Sequence, residues 1–162
     1  MEKIKIKNPK DIIAAVKKWR NRRQENFLVI TMDTGHVVTK LHHITKGLLD
    51  KTVTHPRECF YPAIKDYSQA VAFVHNHPSG NPQPSLEDDI VTERLCMTGV
   101  IIGINVIDHI IITPKGNYYS YRENGKIIED YSTADQRRFI EEIVSEDDKY
   151  PVYQKHDGGD KA

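Results

Sequence analysis

A chain of 162 residues has room for one domain whose core buries roughly two-thirds of the surface that its unfolded form exposes. With 38% hydrophobic and 28% charged residues, the composition is that of a soluble globular protein, and the formal net charge of zero leaves no whole-molecule field to draw it to nucleic acid or membrane. No apolar run approaches the ~18 residues of a membrane-spanning helix, and no signal peptide opens the chain, so the default expectation is a cytoplasmic protein with no membrane partner. Cys59 and Cys96 lie far apart without Cys-x-x-Cys spacing and read as reduced, buried thiols.

The neutral total hides an asymmetry. Lys3, Lys5, Lys7, Lys10, Lys17, Lys18, Arg20, Arg22 and Arg23 face only Glu2 and Asp11 at the start, whereas Glu141, Glu142, Glu146, Asp147 and Asp148 make the end acidic. A solvated helix face is the simpler reading of the basic run, and a weak contact with phosphate or an acidic partner is the alternative.

Residues 3–7 alternate lysine and isoleucine like a short exposed strand. Asn8 or Asp11, around Pro9, then starts a helix through Ile12, Ile13, Val16 and Trp19. Residues 27–31 form an apolar strand buried on both faces, and a turn at 33–35 returns it as a second strand over 36–44. A helix follows from Thr54 or His55 towards Tyr67, its boundary left open by Pro62. Residues 70–74 read as a buried strand and 85–97 as a helix ended by Gly99. The β-branched stretch 101–112, interrupted by Gly103, gives one or two strands, and 118–121 a last edge strand that could pair with a second copy as a homodimer. A charged helix over 132–149 and a disordered glycine-containing tail close the chain. Because the 33–35 hairpin demands antiparallel pairing, the fold class is α/β (α+β), a mixed sheet with helices packed around it. Residues 1–24 are expected to pack on a domain spanning 25–123, with 124–162 as an acidic C-terminal helix and tail.

One stretch carries chemistry. His75 and His77 are two residues apart on a strand, so both project from one face. Pro78, Gly80, Pro82 and Pro84 allow neither strand nor helix to continue, and Ser85 then has the chemistry of an N-cap. Asp88 falls in the first turn of the following helix, where the loop can bring it back beside the two imidazoles. Two histidines and one carboxylate are an open zinc site, since zinc takes these donors at roughly 2.0–2.2 Å and a catalytic centre leaves its fourth position to water. Ser-x-x-Asp before a helix is common without metal; the His-x-His pair upstream is what a plain capping box leaves unexplained.

His-x-His-Pro followed by Ser-x-x-Asp resembles the JAMM motif of the JAB/MPN metalloproteases. The fuller string, His75 to Ser85 and then Asp88, with His55-Pro56-Arg57-Glu58 upstream and Ile107-Asp108-His109-Ile110 downstream, resembles the bacterial RadC family within that superfamily, over roughly residues 11–123. The resemblance implies a JAB/MPN-like fold with cytidine-deaminase-like layering, Zn2+ held by His75, His77 and Asp88, and hydrolysis of an amide or isopeptide bond in an unidentified protein or peptide. It also implies that Glu25, just before the first core strand, is the general base, and that Ser85 stabilises the oxyanion. A plain surface-strand start is the competing reading of Glu25. Glu58 is a second, weaker base candidate, more readily given a structural role beside the site. Asp108 and His109 are candidate outer partners of the ligands, a carboxylate accepting the free N–H of a metal-bound imidazole being the usual arrangement; a satisfied core histidine is the plainer account of His109. Asn76, facing away, can hold the loop through backbone hydrogen bonds, while His42 and His43 face opposite sides of their strand and are structural.

The resemblance also implies an N-terminal helical domain in longer relatives, one that this chain is expected to lack. The family's DNA-repair label passes on the other functional expectation, a non-catalytic zinc-stabilised module attached to DNA repair, replication or mobile-element proteins, with nucleic-acid contact through the basic N-terminus. The contiguous His75-Asn76-His77 is not the signature of HNH nucleases, whose residues are spread over a ββα unit.

Overall fold

The computed structural model describes residues 3–47, 54–127 and 132–147. The chain divides into two compact units, Met1–Asp130 and Tyr131–Ala162. In the first, α1 (Pro9–Ala15) precedes β1 (Asn26–Met32) and β2 (Val38–Lys46). Then come α2 (Pro56–Lys65), β3 (Ala70–Asn76), α3 (Leu86–Ile102), β4 (Asn105–Ile112) and β5 (Tyr118–Ser120). The strands make one sheet in the order β2-β1-β3-β4-β5, antiparallel except for β3 and β4. That mixed sheet is the expected architecture. A parallel pair cannot be closed by a tight turn, so α3 serves as the crossover between β3 and β4.

Every residue of the central strands β1 and β3 is buried, which is why neither alternates in sequence. Leu28, Ile30, Met32, Ala72, Val74, Ile110 and Ile112 line one face against Ile6, Ile12 and Val16. The other face carries Phe27, Phe73 and His75, and Phe60 of α2 meets Phe73 edge-on with ring centroids 5.7 Å apart. Each such apolar side chain contributes about 1.5–3 kcal/mol by burial. Those two faces decide what can reach the candidate site, which lies on the Phe73 side.

The N-terminal segment departs from expectation. Residues 3–7 contribute only an isolated bridge between Lys5 and Val37. α1 opens on an Asn8–Asp11 capping box but stops at Ala15, and a short 3-10 turn over Lys17–Trp19 carries the chain on. Pro62 lies inside α2, which continues past it to Lys65.

Gly99 does not end α3. The helix runs on to Ile102 and is capped by Gly103 at φ 74°, so Ile101 and Ile102 are helical and β4 is a single strand. Gly99 instead permits close approach: a Cβ there would lie 2.6 Å from the Ile104 carbonyl oxygen and 2.9 Å from Val106 Cγ2. Gly99→Ala is therefore expected to lower stability by about 1–3 kcal/mol, against the helix preference for alanine. Urea unfolding measures this, and a variant as stable as the parent would mean that the α3–β4 contact yields freely.

In the second unit, α4 (Thr133–Asp147) opens on Ser132, whose hydroxyl oxygen accepts the Asp135 N–H at 3.1 Å. Residues 148–149 of the expected helix, with Asp148, and the glycine-containing tail lie outside the described residues. Among the described residues, no helix is long and apolar enough to cross a membrane.

Candidate metal centre

β3 delivers His75 to the Phe73 face, fully buried. His77 continues the strand direction by one more pleat, its N–H bonded to the Ile112 carbonyl at 2.9 Å. Asp88 returns to them from the first turn of α3, held there by the Ser85 capping box. The Ser85 N–H and hydroxyl both donate to Asp88 Oδ2, at 2.7 and 2.9 Å, and the Asp88 N–H donates back to Ser85 Oγ at 3.1 Å. The cap thus orients the carboxylate as well as starting the helix.

Three donor atoms converge. His75 Nε2 lies 3.0 Å from His77 Nε2 and 3.2 Å from Asp88 Oδ1, and His77 Nε2 lies 3.4 Å from Asp88 Oδ2. Zinc bonds of roughly 2.0–2.1 Å in a tetrahedral site require donors about 3.3–3.4 Å apart; the two imidazoles reach different oxygens of the carboxylate, and one donor atom from each residue lies within 4.8 Å of the others. His77 Nδ1 lies 2.9 Å from the carbonyl oxygen of Asn81, which only accepts, so a ring proton sits on Nδ1 and Nε2 is the nitrogen turned to the cluster. The donor set and its spacing fit a divalent zinc-like ion.

Asn76 faces the opposite side and ties the segment before β1 to the site. Its Oδ1 accepts from the Asn26 N–H at 2.8 Å, and its Nδ2 donates to the carbonyls of Gln24 at 3.0 Å and Arg22 at 3.3 Å. The β1–β3 register ends at the pair of Phe27 with His75, and Glu25 lies two residues before that pair. Glu25 is half-buried and its negative charge acts on both imidazoles.

Burial lowers the pKa of His75 and holds it neutral, against the opposing influence of the adjacent Asp88 carboxylate. Burial also works against a charged His77, but the hydrogen bonds of Asp88 and of the Asn81 carbonyl outweigh it and raise that pKa. Asp88 is buried too; the adjacent His75 and His77 rings and the Ser85 N–H nevertheless hold its carboxyl well below the usual carboxylate range.

The remaining candidates separate. His109 joins the site: its Nε2 lies 2.8 Å from His75 Nδ1, and its ring stacks on Tyr121 with centroids 5.1 Å apart. Asp108 faces the other side of β4, where it accepts from Ser120 Oγ at 2.6 Å and the Arg122 N–H at 2.9 Å. The expected carboxylate partner of a ligand histidine is thus an imidazole. Glu58 lies exposed in the first turn of α2. His42 bonds Asp66 at 2.9 Å and His43 packs on Trp19, both away from the ligands. Thr92 is the site residue that the sequence patterns leave unmarked. Its hydroxyl lies 2.6 Å from His109 Nδ1 and donates to the Asp88 carbonyl at 2.6 Å. Its one sequence signal is a spacing of four from Asp88, which lets a helical threonine bond back to that carbonyl.

A mixed α+β sheet domain with a His-His-Asp cluster at a strand–loop–helix corner is the pattern of the JAB/MPN superfamily. Residues 6–126 match the family described as "RadC-like JAB domain", and the chain belongs to that family. Its relatives include a "UPF0758 protein" of Trichlorobacter lovleyi, 45% identical over 106 residues, which are 65% of this chain and 46% of that protein. A namesake of Methanosarcina mazei is 41% identical over 124 residues, 76% of this chain and 54% of its own. Another, of Methanospirillum hungatei, is 44% identical over 126 residues, 76% of this chain and 56% of its own. The chain therefore spans about half the length of the curated relatives it matches.

Proposed function

We propose that this domain is a zinc-dependent hydrolase of amide or isopeptide bonds, in which His75, His77 and Asp88 hold the metal. The observation that carries this reading is the convergence of His75 Nε2, His77 Nε2 and the two Asp88 carboxylate oxygens, with contacts of 3.0, 3.2 and 3.4 Å. Zinc, when bound, supplies Lewis acidity that polarises a carbonyl and makes water nucleophilic near neutral pH. Glu25, beside His77, takes a proton from the attacking water and returns it to the leaving amine. Ser85 donates its hydroxyl proton to the substrate carbonyl oxygen as negative charge develops there. That proton is directed at Asp88 Oδ2, so the hydroxyl must rotate to reach a substrate.

Elemental analysis of the untagged protein, beside His77→Ala, tests the metal reading. About one zinc per chain is expected in the parent and loss of it in the variant, since two remaining ligands bind zinc poorly. A parent that takes up no zinc when supplied with it would sink the proposal.

Nucleic-acid contact is a second reading, favoured by where the basic segment runs. Arg20 Nη1 would lie 3.8 Å from a Cβ at Gly116, and the Lys115 side chain covers Gly80 in the loop that follows His77. Binding to a DNA oligonucleotide should then fall steeply as salt rises. Affinity that ignores salt, or no retention at low salt, would remove this reading.

A further inference from the structure

We infer that Thr92 and His109 are positioning residues, a one-way hydrogen-bond relay that keeps the His75 proton on Nδ1 and its Nε2 lone pair aimed at the metal. The inference rests on the metal reading of the His75, His77 and Asp88 cluster. Its direction follows from counting protons. The Asp88 carbonyl oxygen accepts only, so the single hydroxyl proton of Thr92 is committed to it across 2.6 Å. Thr92 Oγ1 is then left as an acceptor towards His109 Nδ1 at 2.6 Å, which places a proton on that nitrogen. His109 is fully buried, and no carboxylate touches its ring among the described residues, so a second ring proton would leave an unpaired buried charge. Its Nε2 therefore carries a lone pair and accepts from His75 Nδ1–H at 2.8 Å. That leaves His75 Nε2 without a proton, facing His77 Nε2 and the Asp88 carboxylate.

Both ends of this path belong to Asp88, its carbonyl at one end and its carboxylate at the other. One residue in the first turn of α3 thus supplies a ligand and also dictates the tautomer of another ligand, with Thr92 and His109 between them along the relay. Phe27 and Tyr121 clamp the His109 ring, edge-on at 5.5 Å and stacked at 5.1 Å, so ring rotation cannot easily reverse the direction. A histidine inside an ordinary core could satisfy its two nitrogens in either sense; here a backbone carbonyl removes that choice.

Thr92→Val keeps the side-chain shape and removes the hydroxyl. His109 Nδ1–H then loses its acceptor, and the neutral ring can move its proton to Nε2, which drives the His75 proton onto the nitrogen the metal needs. Zinc affinity, measured on the full chain by competition with a chromophoric chelator, is expected to fall about 10–100-fold in Thr92→Val and to stay within about threefold of the parent in Thr92→Ser. Nitrogen-15 spectra of the zinc-free protein provide a readout that needs no variant: His75 should be the Nδ1–H tautomer in the parent and shift towards Nε2–H in Thr92→Val. Unchanged affinity in folded Thr92→Val, or an Nε2–H His75 in the parent, overturns the relay. If the parent bound no zinc, the metal reading would fail while the tautomer spectra still decided the relay.

Discussion

Glu25→Gln is expected to lower hydrolysis by roughly 10²–10⁴-fold while zinc content and unfolding midpoint stay where they are. Glutamine keeps the size and much of the hydrogen-bonding of glutamate but cannot accept a proton from water. The position supports the loss being chemical and not structural. Glu25 lies one residue before β1, only half-buried, on a segment fastened from the opposite face by the Asn76 bonds to Asn26, Gln24 and Arg22. Those clamps use backbone groups and the Asn26 side chain, so the exchange leaves them intact. Ser85→Ala offers the contrast. It removes both the donor to a developing oxyanion, worth roughly 2.7–4 kcal/mol of barrier, and the cap of α3, worth about 0.5–2 kcal/mol of stability. Activity and stability should therefore fall together at Ser85, whereas at Glu25 activity alone should fall. Turnover on a peptide and isopeptide library, read by mass spectrometry, measures both variants. A Glu25→Gln protein that cleaves at the parental rate would take the base role away from Glu25.

The clustering of His75, His77 and Asp88 was legible in the sequence because each position depends on local rules. Two-residue spacing puts His75 and His77 on one face wherever β3 goes, and a Ser-x-x-Asp capping box fixes Asp88 in the first helical turn. Proline and glycine between them leave the chain no other regular path. The mixed sheet was legible for the same reason, from a hairpin turn and unbroken apolar strands. What escaped depends on contacts between elements. β3 and β4 pair Val71 with Val106 but Ala72 with Asp108, so Ile107 is an extra residue in β4. Without that bulge, Asp108 would oppose Phe73 and share its face; with it, His109 does. An Asp-His dipeptide cannot announce which member faces the His75, His77 and Asp88 cluster when one bulge exchanges them. Gly99 misleads similarly, since a glycine near a helix end reads as a stop, whereas here it makes room for the Ile104 carbonyl and Val106. Thr92 is silent because a threonine inside a helix has many uses, and only the arrival of His109 from β4 gives it one.

Acid should destabilise the zinc-free protein steeply, beginning near the ordinary histidine pKa of 6.5. Burial pushes both His75 and His109 below that value, so beneath it the unfolded chain binds a proton at each site that the folded chain refuses. Stability then falls as pH falls, by about 1.4 kcal/mol per pH unit for each histidine. His77 has the opposite sign: its raised pKa gives stability that is complete below 6.5 and lost as pH rises through its folded value, so it contributes no slope in the acid window. The depressed Asp88 contributes stability above the ordinary carboxylate range and loses it only in stronger acid. Between about pH 6.5 and pH 5 the two buried histidines therefore govern, with a combined slope near 2.7 kcal/mol per unit until their folded-state values are reached. Zinc bound by His75 and His77 would make their Nε2 lone pairs unavailable to protons, so the loaded protein should unfold at higher urea near neutral pH, and this advantage should shrink as protons displace the metal. Urea midpoints with chelator and with zinc, taken from about pH 7.5 to about pH 5, measure both slopes. A zinc-free midpoint that stays level across that range would mean that His75 and His109 are protonated in the folded chain, which the one-way path from Thr92 to His75 does not allow.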